Sequence, residues 1–159
     1  MVYLIMGVLG SGKTTIGEKL SQRLGCEFRD GDDFHPQSNR DKMAAGIPLT
    51  DSDRKPWLLA IRSVIDSVLS HGDFVVTCSA LRENYRRILI HGRPGIKLVY
   101  LKGSKELISG RLKGRSGHFV SPGLLDSQFE TLEEPKNAIT VDIAKKPDEI
   151  VEEILSHKQ

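Results

Sequence analysis

Gly7-Val8-Leu9-Gly10-Ser11-Gly12-Lys13-Thr14 fits the G-x-x-x-x-G-K-[ST] pattern of a phosphate-binding loop. The context agrees with the motif. An apolar run, Val2–Met6, precedes it and reads as a strand, and Lys13–Leu24 follows with Ile16, Leu20 and Leu24 on one helical stripe, ending at Gly25 as a C-cap. Glycines let backbone N–H groups turn inward around phosphate oxygens, and the helix N-terminus adds partial positive charge. Lys13 is placed to reach the β and γ phosphates, and Thr14 to offer its hydroxyl to Mg²⁺. The loop establishes nucleotide phosphate binding and does not by itself separate a kinase from an ATPase or a GTPase.

Working outward, short branched apolar runs alternate with stretches at helical spacing, the pattern of βαβ units around a parallel sheet. Five strands are expected at residues 2–6, 26–30, 74–78, 97–101 and 140–143, each too apolar for a sheet with one wet face. Helices are expected at 56–69, with Asp53 as a possible cap, and at 83–91, 105–113 and 147–157, the last with Pro147 in its first turn. The fold class is therefore α/β, with a five-stranded parallel sheet flanked by helices. Residues 30–55 carry no clear strand and read as an inserted element over the carboxyl edge of the sheet. Residues 114–122, with glycines, Arg115 and His118, have the composition of a lid.

With 159 residues, 23 Lys and Arg against 21 Asp and Glu, and 38% hydrophobic residues, the chain suits one domain with one sizeable core. Basic residues are scattered, which argues against a nucleic-acid partner. No apolar stretch approaches the length of a membrane span, and Met1–Leu9 lacks a basic leader or cleavage site, so the chain reads as cytoplasmic. Cys26 and Cys78 lack the spacing of a metal site and are expected to be reduced and buried at strand ends.

Asp30-Gly31-Asp32-Asp33 ends the second expected strand, placing carboxylates at the edge where the phosphate loop opens. One could serve Mg²⁺ and another a substrate hydroxyl. The third strand ends at Ser79 without an acidic residue, which makes Asp30 the expected metal partner beside Thr14. His35-Pro36 follows the turn, and the proline can direct the imidazole back to the same place. Arg54 and Lys55 could clamp an anionic group. Arg111 and Arg115, four apart, could neutralise charge on a transferred group. Arg82, Arg86 and Arg87 cluster around Tyr85; a solvated face explains Arg87, while Arg82 starts its helix near the sheet edge and could reach substrate. Met43 and Trp57 read as core packing.

The chain resembles, nearly end to end, the gluconokinases of the small P-loop kinase group, relatives of shikimate and nucleoside monophosphate kinases. The resemblance rests on MGVLGSGKT at 6–14, DGDDFHP at 30–36, NRDKMAAGIPLTDSDRKPWL at 39–58, CSALRENYR at 78–86, YLKG at 100–103, RLKGRSGHF at 111–119 and QFETLEEP at 128–135. It implies ATP-dependent phosphorylation of D-gluconate to 6-phosphogluconate, a three-layer fold of one domain over residues 1–159 and often a homodimer. Within that domain, residues 31–58 form a substrate-binding insertion and 111–122 a lid. Carried over by position, it makes Gly7, Gly10, Ser11, Gly12, Lys13, Thr14 and Thr15 the nucleotide cradle and Asp32 the acceptor-hydroxyl contact or base. His35, Arg54, Lys55 and Arg82 become candidates for holding gluconate, and Arg111 and Arg115 fall in the lid. Leu9, Arg82 and Ile90 depart from common family residues. Adenine is expected on the segment from Gln128 to Pro135 or on the turn after Ile143.

Two other readings compete. A shikimate-like acceptor would keep the reaction class, but the long 30–57 segment with its HP and DRKPW pieces favours gluconokinases. A nucleotide-binding regulatory module predicts a guanine-reading N-K-x-D piece, and the sequence has none.

Overall fold

The structure, a computed structural model, describes residues 1–114 and 122–157. Its strands are β1 Val2–Met6, β2 Glu27–Asp30, β3 Phe74–Thr77, β4 Ile96–Lys102 and β5 Ile139–Asp142. Its α-helices are α1 Lys13–Leu24, α2 Gln37–Ala44, α3 Asp51–Val68, α4 Glu83–Ile90, α5 Lys105–Lys113, α6 Pro122–Thr131 and α7 Pro147–Ser156, and a short 3-10 turn spans Gly31–Phe34. All the strand pairs are parallel, in the order β2-β3-β1-β4-β5.

The pleat of the central strands explains the layers. In β1, Tyr3 and Ile5 join Ile16 and Leu20 of α1, Ile108 of α5 and Ile150 and Ile154 of α7 on one face. Val2, Leu4 and Met6 alternate with them and join Trp57, Ile61 and Ile65 of α3 and Tyr85 and Leu89 of α4 on the other. With both faces covered, β1 and β3 are buried throughout. The outer strands differ from the expectation. In β2, exposed Glu27 and Arg29 alternate with half-buried residues, and in β5 only Val141 is buried. They are the edges of the sheet, where one side faces no neighbouring strand.

Four points correct or add to the expectations. First, α3 starts at Asp51 rather than Pro56, because Thr50 and Asp53 form a reciprocal capping box; Asp53 is its third residue, and Pro56 lies inside the helix. Second, the segment 30–55 holds a 3-10 turn and α2, a helix in which Asn39 is the one buried residue. It lacks an apolar stripe, so periodicity could not reveal it. Third, Met43 is exposed, whereas Trp57 is buried as expected. Both cysteines are free; Cys78 is buried, with its thiol pushed up to about 12 by burial, but Cys26 is only half-buried. Of the expected lid, residues 115–121 lie outside the described residues.

Among the described glycines, the one with least room for a side chain lies in the acidic turn. A Cβ on Gly31 would stand 2.0 Å from the Thr77 carbonyl oxygen, so β2 and β3 can pass at this point only with glycine there. Gly31→Ala is expected to lower stability by about 2–3 kcal/mol in urea unfolding. A change inside 0.5 kcal/mol, the range of neutral surface substitutions, would contradict this packing.

Candidate active site

The phosphate loop leaves β1 at the carboxyl edge of the sheet, where the strand order reverses and open α/β sheets bind ligands. Gly10 (φ 77°) and Gly12 (φ 97°) hold left-handed conformations that L side chains rarely adopt. Lys13 Nζ donates to the carbonyls of Gly7 (3.0 Å) and Val8 (3.1 Å), so the ammonium spans its own loop. From α6, Gln128 Oε1 accepts from the Leu9 N–H at 2.6 Å. Ser11 Oγ is buried without a partner among the described residues, a hydroxyl inside the loop for which a phosphate oxygen is a natural acceptor.

The acidic turn is fixed against this loop from several sides. Asp30 Oδ1 accepts from Asp32 N (2.9 Å) and Thr77 Oγ1 (3.2 Å), and its Oδ2 accepts from Thr14 Oγ1 (3.3 Å). Thr77 Oγ1 also accepts from Gly31 N at 3.3 Å. The Trp57 indole donates to the Gly31 carbonyl at 2.7 Å. Arg40 donates to three carbonyls of the turn, those of Asp32, Asp33 and His35. Asp32 and Lys13 stand in each other's field: burial pushes the Asp32 carboxyl up and Lys13 opposes it, while burial pushes Lys13 down and Asp32 opposes that.

Thr14 and Asp30 supply hard oxygen donors side by side, which fits Mg²⁺. No group of three or more His, Cys, Asp or Glu able to hold a metal occurs among the described residues.

A wall from α2, α3 and α4 stands beside the turn. The His35 ring stacks on Trp57, with centroids 4.1 Å apart and planes at 15°. Arg54 lies over the Tyr85 ring at 5.3 Å and donates to its hydroxyl at 2.9 Å, and that hydroxyl donates to Asp51 Oδ1 at 2.5 Å. The field of Arg54 also reaches His35. Thus Gly7, Gly10, Ser11, Gly12, Lys13, Thr14, Asp30 and Asp32 come together, with His35 and Arg54 on the adjoining wall. Lys55 is exposed, and Arg82, the exposed N-cap residue of α4, has Tyr85 of this wall in its field. Arg115 lies outside the described residues.

Arg111 has a different place from the acidic turn. With Gly10, Gly12, Thr15, Ile143 and Pro147 it lines a cavity of about 190 Å³ beside the phosphate loop, and its guanidinium donates to the Ile143 carbonyl. Of the two segments expected to hold a base, this cavity takes in the turn after Ile143. The other segment has different partners: Gln128 bonds the phosphate loop, and Glu134 accepts from Tyr100 and pairs with Lys102. Arg86, read from sequence as part of a basic cluster, is buried and donates to the Ala80 and Glu133 carbonyls, tying the turn after β3 to the segment after α6. Sequence reasoning gave no role to Thr77, Arg40, Asn39 or Tyr85. Their ties run between elements and leave no periodic signal.

A family model of shikimate kinases matches residues 9–158. A probable gluconokinase from Dictyostelium discoideum is 43% identical, over 99% of this chain and 86% of that protein. The thermoresistant gluconokinase of Escherichia coli is 44% identical, over 84% of this chain and 77% of its own length. The chain belongs to the gluconokinase family of P-loop kinases. Its fold agrees with the crystal structure of a gluconokinase from Sinorhizobium meliloti, with a TM-score of 0.88 at 43% identity over 98% of this chain and 89% of that one.

Thr77→Val keeps the shape of the side chain but removes the hydroxyl shared by Asp30 and Gly31. Stability is expected to fall by about 1–3 kcal/mol, and the Asp32 amide to lose protection in hydrogen exchange. An unchanged Asp32 amide would show that Thr77 does not hold the turn.

Proposed function

We propose that this chain transfers the γ-phosphoryl group of ATP to a hydroxyl of D-gluconate, giving 6-phospho-D-gluconate and ADP. The observation that carries the reading is the acidic turn bonded to the phosphate loop through Asp30 and Thr14, with Asp32 in the field of Lys13. A carboxylate beside the position of the γ phosphate is what an alcohol acceptor needs and a nucleotide switch does not.

The roles follow from chemistry. Backbone N–H groups from Gly7 to Thr15, with the Ser11 hydroxyl, cradle the phosphates, and Lys13 leaves its loop carbonyls to neutralise charge on the β and γ groups. Thr14 and Asp30 would hold Mg²⁺, which when bound screens the phosphate charge. Asp32 receives the hydrogen bond of the attacking hydroxyl and aligns its oxygen in line with the bond that breaks, between phosphorus and the oxygen kept by ADP. Arg54 suits the gluconate carboxylate because its guanidinium is a rigid planar donor, held by Tyr85 and Asp51. His35 contacts a hydroxyl, and Arg111 with Pro147 encloses the adenine. Lys55 and Arg82 are further substrate contacts in this reading. Residues 1–159 act as one domain, with 31–58 holding the acceptor and 111–122, including Arg115, closing over ATP. A cytoplasmic homodimer completes the reading; no described helix is long and apolar enough to cross a membrane.

ADP release measured with ATP and Mg²⁺ against D-gluconate, shikimate, glycerate, AMP and no acceptor tests the proposal. D-gluconate alone is expected to stimulate turnover; stimulation by another acceptor, or by none, overturns it. Asp32→Asn should cut turnover about 100- to 10,000-fold while ATP affinity stays nearly unchanged. Near-normal turnover would remove Asp32 from the mechanism.

The pH dependence carries a sign. Asp32 can take the proton of the attacking hydroxyl only when ionised, and burial raises its pKa above the ordinary 3.8. Activity should therefore be full above the raised value and fall as pH drops through it, on an acid limb displaced upward from 3.8. The limb should vanish from the residual activity of Asp32→Asn.

A further inference from the structure

Asn39 is 1% exposed, and its amide lies between two groups of α3 and the acidic turn. Its Nδ2 is 2.9 Å from the Asp53 carbonyl oxygen and 3.2 Å from His35 Nδ1. A carbonyl oxygen only accepts, so the atom facing it is the amide nitrogen, and its second hydrogen is free to point at His35. His35 Nδ1 must then accept, and a neutral imidazole accepting at Nδ1 carries its proton on Nε2.

The surroundings keep this ring neutral. It is buried against Trp57 and lies in the fields of Arg40 and Arg54, both of which oppose a positive charge; of the α3 carboxylates, Asp53 is paired with Lys42 and Asp51 with Arg54. Burial and the two guanidiniums push the imidazole down to about 4. Among the described residues Nε2 has no hydrogen-bond partner and is not one of the buried polar atoms left without one, which are Ser11 Oγ and Glu153 Oε2. His35 keeps 8% of its surface exposed, and Nε2 is the ring nitrogen left to meet a ligand. Its position relative to the acidic turn is fixed, because the indole on which the ring stacks is the one that holds the Gly31 carbonyl.

We infer that Asn39 is a positioning residue that locks His35 in the Nε2–H tautomer, so that His35 offers one neutral N–H donor to a hydroxyl of the polyol acid. This rests on the proposed acceptor reading of the site. A neutral N–H matches a hydroxyl lone pair, whereas a charged imidazolium would favour a carboxylate. The division of labour follows: Arg54 reads the acid group and His35 reads the polyol chain. A substrate lacking that hydroxyl leaves the donor unpaired and is rejected for it.

Nitrogen-15 NMR of the whole protein with labelled histidine tests the tautomer without substrate. From about pH 5 to 8, His35 is expected to show a protonated Nε2 and a bare Nδ1, and added D-gluconate is expected to shift Nε2. A protonated Nδ1, or an imidazolium at pH 7, would overturn the inference. Two substitutions separate donor from scaffold. The amide of His35→Gln can reach the Nε2 position and should keep the KM for D-gluconate within about threefold, while the shorter His35→Asn should raise it roughly tenfold without changing the KM for ATP. Equal KM values for the two variants would contradict the assignment. Asn39→Asp, which can only accept when ionised, should move the proton to Nδ1 and raise the same KM; an unchanged tautomer would contradict the role of Asn39. If D-gluconate is no acceptor at all, the acceptor panel fails while the tautomer of the free protein stands or falls by itself.

Discussion

The Asp30 carboxylate joins three parts of the molecule that are far apart in sequence: it accepts from Thr14 in the phosphate loop, from Thr77 at the end of β3 and from the amide of Asp32 in its own turn. Everything the site can do depends on that junction. A phosphate loop alone binds a nucleotide. A phosphate loop with a carboxylate held beside it can choose an alcohol and aim it. The parallel sheet makes the junction possible, because β1, β2 and β3 all end on one edge and β3 lies between the other two.

The same junction explains why the adjoining wall is built from polar ties on a buried base. Trp57 packs into the core by its ring and holds the Gly31 carbonyl by its N–H, so burial of α3 transmits directly to the turn. Arg40 binds three carbonyls of the turn, and Asn39 connects His35 to the start of α3. The ties made by Trp57 and Asn39 are buried and costly to disturb, since removing one partner leaves the other unsatisfied where water cannot replace it, whereas those of Arg40 lie nearer the surface. The wall is thereby rigid where substrate would meet it.

How much of this was legible in the sequence divides along a physical line. The phosphate loop, α1 and the central strands carry local signals: glycines at fixed spacing, an apolar stripe, short branched runs. Lys13, Thr14, Asp30 and Asp32 meet at one edge of the sheet because the ends of parallel strands converge by topology alone. α2 is not legible, since side-chain ties rather than an apolar face hold it, and the start of α3 is obscured because Pro56 is a stronger break signal than a Thr50–Asp53 capping box. Thr77, Arg40 and Asn39 were invisible for a related reason: their partners lie in other elements.

A crystal structure with a non-hydrolysable ATP analogue, Mg²⁺ and D-gluconate measures the central claim most directly. The account predicts an Asp32 carboxylate oxygen within about 3.2 Å of the terminal gluconate hydroxyl, with that hydroxyl facing the γ phosphorus opposite the leaving oxygen. Gluconate bound with its carboxylate, or no group at all, toward Asp32 would contradict it.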